Sequence, residues 1–286
     1  VRTLDFQDHR RELGKNAYVY PVVSRRSKGL SIGVNLNPDK VCNFDCPYCQ
    51  VDRTVSPAVT EVRLEQLEAE LRALLGLAVS REFWDTAPFD TTSHALRRIN
   101  DVAFAGDGEP TSSKHFEAAV VLAGELLAEH GLAHVKPVVL TNATLFHRPA
   151  VARGLEAIDR YRGEIWAKLD AGTEPWFHLV DGTSFPFQRI LDNLRDAARV
   201  RPIVVQAMWH RWDGQAPAEA ELDAWAARLA DVLDAGGRLK LVQVYSVARR
   251  PASDRVQHLD HHALEAIADR VRTLNIPVEV FDGREV

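Results

Sequence analysis

Cysteine is scarce and confined: the chain has three in 286 residues, all between Cys42 and Cys49. With none elsewhere, no disulfide framework can be drawn, and a reducing, cytoplasmic setting is expected. Long apolar runs are missing too. None approaches the roughly 18 residues of a membrane-spanning helix, so no membrane association is expected, and Val1-Arg2-Thr3-Leu4-Asp5-Phe6 does not read as a signal peptide. An excess of positive charge is also absent. Lys and Arg total 35 against 40 Asp and Glu, a net charge of −5. That gives no overall attraction to polyphosphate and weighs against a large nucleic-acid footprint, while leaving room for a local basic groove. Histidine is missing around the cysteines. The nearest are His9 and His94, so no compact Cys/His finger can be drawn. No linker and no solenoid period is visible. A single domain over 1–286 is expected, with 1–30 as an N-terminal extension and 31–281 as the body.

What is present is ordinary for a globular protein, 46% hydrophobic and 26% charged. Period-2 runs place strands at 31–36, 101–105, 137–142, 163–170, 202–210 and 239–246, with a further one at 278–281. A short strand at 18–23 is consigned to an edge by Pro21. Helical spacing follows each main strand. Leu64, Leu67, Leu71, Leu74 and Leu75 form the first stripe, with Thr60 as N-cap and Gly76 as stop. Others cover 114–130, 148–161, 190–198, 222–233 and 264–274. Residues 77–100 read as a loop-rich insertion holding one short helix. This alternation predicts an α/β fold with a parallel sheet and right-handed crossovers. Its six units fall short of the eight of a full barrel.

Chemistry-bearing residues gather where such a sheet places function, at the carboxyl ends of strands. The spacing Cys42-x3-Cys46-x2-Cys49 follows the first main strand. Three thiolates on one short loop read as a site for an iron–sulfur cluster or zinc. With only three, one iron of a four-iron cluster would keep an open position. Gly106-Asp107-Gly108-Glu109 follows the second strand, as a tight turn or as backbone able to approach a ligand closely. Asn142 ends the third, as an Asx-turn or a ligand contact. Lys168 and Asp170 share a face of the fourth, as a mutual ion pair or as polar groups facing a ligand. Gln206, Met208 and His210 alternate along the fifth, with packing favoured for Met208 and His210. Tyr245, Arg249 and Arg250 follow the sixth. The trio Arg25, Arg26 and Lys28 reads as a solvated turn or as an anion-binding patch at the mouth.

The cysteine spacing, with Tyr48 just before the third cysteine, resembles the signature of the radical S-adenosylmethionine (radical SAM) superfamily. Together with the run 24–50, the Gly-Asp-Gly-Glu-Pro-Thr turn, Lys168-Leu169-Asp170 and 247–252, it resembles one branch, that of the tRNA wyosine-synthesis enzyme and its bacterial relatives. The resemblance implies a partial (β/α)6 TIM-like barrel of the radical SAM type. It implies one [4Fe-4S] cluster on Cys42, Cys46 and Cys49, with S-adenosyl-L-methionine on the remaining iron. A low-potential donor such as flavodoxin or ferredoxin would reduce the cluster. Reductive cleavage would give a 5′-deoxyadenosyl radical that takes hydrogen from a small-molecule, peptide or RNA substrate. By the same resemblance, Tyr48, Gly106, Asp107, Gly108, Glu109, Asn142, Lys168, Asp170, Gln206 and Met208 would contact the cofactor. Lys168, Asp170, His210, Tyr245 and Arg249 are the candidates for catalysis. The alternatives are a wyosine-like tRNA modification enzyme and a non-catalytic iron–sulfur or zinc protein. The wyosine enzymes carry further cysteines for a second cluster, and these 286 residues have none.

Overall fold

A computed structural model describes residues 16–283. Its ten strands are β1 (Val19–Ser24), β2 (Gly29–Val34), β3 (Ile99–Phe104), β4 (Lys136–Thr141), β5 (Glu164–Lys168), β6 (Ile203–Met208), β7 (His210–Trp212), β8 (Leu239–Tyr245), β9 (Val256–His258) and β10 (Val278–Phe281). Its eight helices are α1 (Leu64–Ala78), α2 (Arg81–Trp84), α3 (Phe116–Glu129), α4 (Pro149–Arg160), α5 (Glu174–Asp181), α6 (Phe187–Val200), α7 (Glu219–Asp234) and α8 (His261–Thr273). Eight strands form one sheet in the order β1-β2-β3-β4-β5-β6-β8-β10. From β2 onward every neighbouring pair is parallel. The sheet curls into the partial (β/α)6 barrel expected, with β10 as a further strand. Among the described residues no helix is long and apolar enough to cross a membrane.

The period-2 pattern divides each strand between two environments. Ile32 and Val34, Val102 and Phe104, Ile165 and Ala167, Val205 and Ala207, and Val242 and Val244 face the helices and join the main core. Leu67, Leu71, Leu74 and Leu75 of α1 meet them there. The opposite face turns into the barrel and is far more polar. At its floor the Glu164 carboxylate takes the Lys136 and Lys240 ammoniums at 2.7 and 2.6 Å, and the Trp166 indole N–H at 2.8 Å. Val138, Trp166 and Val204 form an apolar plug apart from the main core. Gln206 donates to Gln243 at 2.7 Å, both buried. Lys168 and Tyr245 end their strands at the rim.

Several expectations need correction. The sheet begins within the stretch expected as an extension, because β1 pairs antiparallel with β2 from Val19 onward. Pro21 does lie on an edge strand. The N-cap of α1 is Arg63, not Thr60. Gly76 does not stop that helix but lies inside it, where a Cβ would meet nothing within 4 Å. The strand expected at 202–210 breaks after Met208, and His210 starts β7, which pairs antiparallel with β9 beside the main sheet. Helix α5 was missed altogether. Its signal was present in Thr173-Glu174-Pro175, an N-cap followed by proline in the first turn. The Thr173 hydroxyl does accept from Trp176 N–H. Two of the trio near residue 26, Arg26 and Lys28, reach toward β8 and β10. The Arg26 guanidinium lies 4.8 Å from the Tyr245 ring centroid, and Lys28 Nζ lies 2.5 Å from Glu279 of β10.

Candidate functional site

The cysteine loop leaves the carboxyl end of β2 and is gripped from two sides by glycines. A Cβ on Gly108 would stand 2.1 Å from the Val41 carbonyl oxygen, and one on Gly182 would stand 2.1 Å from that of Asp45. Both approaches require glycine. Gly182 also has φ +57°, the left-handed conformation common just past a helix end. It closes α5 against the loop, where Asp45 N–H donates to the Asp181 carbonyl at 3.2 Å. The other end of α5 is fixed by Glu221, which accepts from Gly172 N–H at 2.5 Å and from the Thr173 hydroxyl at 2.6 Å.

The glycine turn after β3 and the asparagine after β4 serve the same grip. Gly106 packs on Asn35, whose amide donates to Asp107 at 2.6 Å and whose oxygen accepts from Asp107 N–H at 3.1 Å. Glu109 is buried and accepts from the Thr111 hydroxyl at 2.5 Å, the Thr141 hydroxyl at 2.6 Å and Asn142 N–H at 2.7 Å. Burial pushes its carboxyl up, although these donors favour the charged form. Asn142 donates to the Asn43 side chain at 2.7 Å and accepts from Thr144 N–H at 3.2 Å, an Asx-turn. Asp107, Glu109 and Asn142 are thus taken up by protein partners that tie three strand ends to the loop.

On the other side of the loop lies a buried ionic cluster. Lys168 Nζ is 3.2 Å from Asp170, 3.3 Å from Asp181 and 2.5 Å from the Tyr48 hydroxyl. The Tyr48 hydroxyl donates to Asp170 and lies 3.1 Å from Asp181. Asp170 also accepts from Met208 N–H at 2.7 Å. The cluster touches a cysteine. Cys46 Sγ is 3.6 Å from Lys168 Nζ and 3.5 Å from Asp181 Oδ1. Burial alone would push the Lys168 ammonium down, but Cys46, Asp170 and Asp181 together hold it well above the usual lysine value. Burial pushes the Asp181 carboxyl up, against the pull of Lys168. Burial and then the Asp170 and Asp181 charges do the same to the Tyr48 phenol. The Lys168–Asp170 pair is thus the ion pair that was one of its two expected readings, and it belongs to a larger buried cluster. Asp181 was missed because Asp-Gly reads as a turn, and only the return of α5 to the loop brings its carboxylate inside.

The remaining candidates are more scattered. His210 is buried, with its ring 5.7 Å from Tyr48 and 6.4 Å from Trp176, and burial lowers its pKa. Met208 packs with Tyr48, Val247 and Val256. Gln206 is bound to Gln243 a layer below the rim. Tyr245 lies under Arg26. Arg250 is exposed, 3.2 Å from Asp254, and Arg249 is half-buried.

Three thiols on one short loop are a donor set that the irons of a cluster can take. Among the described residues no three His, Cys, Asp or Glu side chains come together to hold a single metal ion. A closed zinc site needs four ligands meeting one ion, whereas the irons of a cluster each take their own thiolate. Cations stand beside two of the sulfurs, Lys168 at Cys46 and Arg53 at 3.5 Å from Cys49.

No family model matches the chain. It is 25% identical over 186 residues to the GTPase Obg of Brachyspira hyodysenteriae, covering 63% of this chain and 23% of that protein. It is 28% identical over 146 residues to a UPF0026 protein of Methanocaldococcus jannaschii, 49% of this chain and 37% of that one. A UPF0026 protein of Helicobacter pylori matches at 26% over 227 residues, 79% of this chain and 60% of that one. The chain thus spans less than two thirds of the length of each of these relatives. A crystal structure of a radical SAM methyltransferase from Sphaerobacter thermophilus superposes with a TM-score of 0.62 at 15% identity, over 92% of this chain and 68% of that one. A structure of TYW1 with a lysine-pyruvate adduct bound matches at a TM-score of 0.48 and 17% identity, too slight a likeness to argue from. The chain has the fold of a radical SAM enzyme, and with its Cys42-x3-Cys46-x2-Cys49 loop it resembles that superfamily and, in sequence, the UPF0026 proteins.

Proposed function

We propose that the chain is a radical SAM enzyme with one [4Fe-4S] cluster on Cys42, Cys46 and Cys49. The observation that carries this reading is the three-thiol loop itself. Glycines clamp it at the carboxyl rim of a partial barrel, with a buried ionic cluster against Cys46. When bound on Cys42, Cys46 and Cys49, the cluster would supply one electron to S-adenosyl-L-methionine for cleavage of its sulfonium carbon–sulfur bond, the source of hydrogen-abstraction chemistry.

The chain's own residues orient and shield. Gly108, Gly182, Glu109 and Asn142 fix the loop that carries the sulfurs. Lys168 places a positive charge at the rim, and Tyr48, Asp170 and Asp181 hold that ammonium in place. The rings of Tyr48, His210 and Trp176 and the Met208 side chain pack beside it, and shielding from water is what a radical site requires. The electron comes from a low-potential donor of the flavodoxin or ferredoxin kind in a reducing cytoplasm.

Anaerobic reconstitution tests the reading. The expected result is about four irons and four sulfides per chain, a spectral change on adding S-adenosyl-L-methionine, and 5′-deoxyadenosine under strong reductant. Replacing Cys42, Cys46 and Cys49 together by alanine abolishes all three. Bound zinc in place of iron, or a loaded cluster that never cleaves S-adenosyl-L-methionine, would overturn it.

A further inference from the structure

Two oppositely charged groups share the sulfur of Cys46. Lys168 Nζ is 3.6 Å from Sγ and Asp181 Oδ1 is 3.5 Å from it, while the two lie 3.3 Å from each other. Both are sequestered: the Lys168 side chain is 21% exposed and that of Asp181 is 3% exposed. A Cys46 thiol can donate its proton to Asp181. A thiolate that ligates metal has no proton left to donate. Sγ and the Asp181 carboxylate then face each other as two anions, and Lys168 is the cation that touches both.

We propose that Lys168 and Asp181 are opposed positioning residues that set the reduction potential of the cluster through Cys46. The inference rests on the proposed function, since it needs a cluster on that cysteine. Reduction adds an electron to the cluster, so a neighbouring ammonium favours the reduced state and a neighbouring carboxylate disfavours it. Hydrogen bonds to cluster sulfurs and burial are established levers on such potentials, and a site shielded from water strengthens each charge. Asp170, 3.2 Å from Nζ and held by Met208 N–H and Tyr48, keeps the ammonium aimed.

The measurement is the midpoint potential of the reconstituted cluster, by mediated titration read from the electron paramagnetic resonance of the reduced state, without S-adenosyl-L-methionine or substrate. Lys168→Met should lower the potential by an amount equal to about a tenfold change in the reduction equilibrium, about 59 mV for one electron. Asp181→Asn should raise it, and Lys168→Arg should restore it toward wild type. Loaded variants that keep the wild-type potential, or that shift together in one direction, overturn the inference and leave the proposed function standing. If Lys168→Met takes up no cluster, Asp181→Asn and Lys168→Arg decide: an unshifted Asp181→Asn overturns it. A wild-type chain that takes up no iron sinks the proposed function and this inference with it.

Discussion

The α-carbon of Gly182 lies against the backbone carbonyl of Asp45 so closely that a methyl there would sit 2.1 Å from the oxygen. This contact joins the end of α5 to the cysteine loop. Gly182→Ala meets both the overlap and the left-handed backbone at φ +57°. The backbone alone costs about 1–2 kcal/mol, and relief of the overlap must move the loop or the helix. The expected outcome is a lower urea midpoint together with reduced iron uptake. Gly76→Ala, in open space on α1, serves as the control that changes neither downward.

Glu109 gives a second prediction, because its carboxylate is saturated by protein donors. Glu109→Gln turns an amide N–H₂ toward either the Asn142 N–H or the Thr111 N–H, so one buried backbone donor loses its acceptor. The expected loss is about 1–3 kcal/mol, read by chemical denaturation of the metal-free chain. A carboxylate reserved for a ligand would show no such loss before the ligand is bound.

These two cases mark how far sequence reaches. Strand and helix periods were readable because one face of each element meets a single continuous core, and that face repeats. The cysteine loop was readable because its spacing is compact and its residue type rare. Partnership was harder to read. Glu109 and Asn142 show in sequence that polar groups end β3 and β4, but their hydrogen bonds run to Thr141 and Asn43, 32 and 99 positions away. Asp181 is the extreme case: its neighbours Tyr48 and Cys46 stand 133 and 135 positions away, and no local pattern records that.

Tyr48→Phe keeps the ring beside His210 and Met208 but removes the hydroxyl that lies among Lys168, Asp170 and Asp181. The buried carboxylates then keep Lys168, Met208 N–H and the Cys46 thiol as donors but lose the phenol. The expected cost is about 1–3 kcal/mol, with the far-ultraviolet circular dichroism of the native chain unchanged. Equal denaturation midpoints for the two proteins would show that the hydroxyl contributes nothing.

Acid should weaken the barrel floor. Burial opposes ionisation of Glu164, but Lys136, Lys240 and the Trp166 indole more than offset it and hold the carboxyl below the ordinary glutamate value. A depressed folded value means that the carboxylate's stabilising share is complete above the ordinary pKa of about 4.3 and is lost as pH falls through the lowered one. The wild-type advantage over Glu164→Gln in unfolding free energy should therefore be constant near neutrality and shrink below about pH 4.3. Denaturation series at stepped pH measure it, and an advantage that grows on acidification would contradict the assignment.

A sheet that stops short of closure has two edge strands, which among the described residues are β1 and β10. Exposed edges are templates on which another molecule's strand can add, the first step of aggregation. Pro21 leaves β1 one backbone donor fewer to offer, and the ion pair from Lys28 to Glu279 sets charge at β10. Proline and charge at an edge are features that oppose such strand addition.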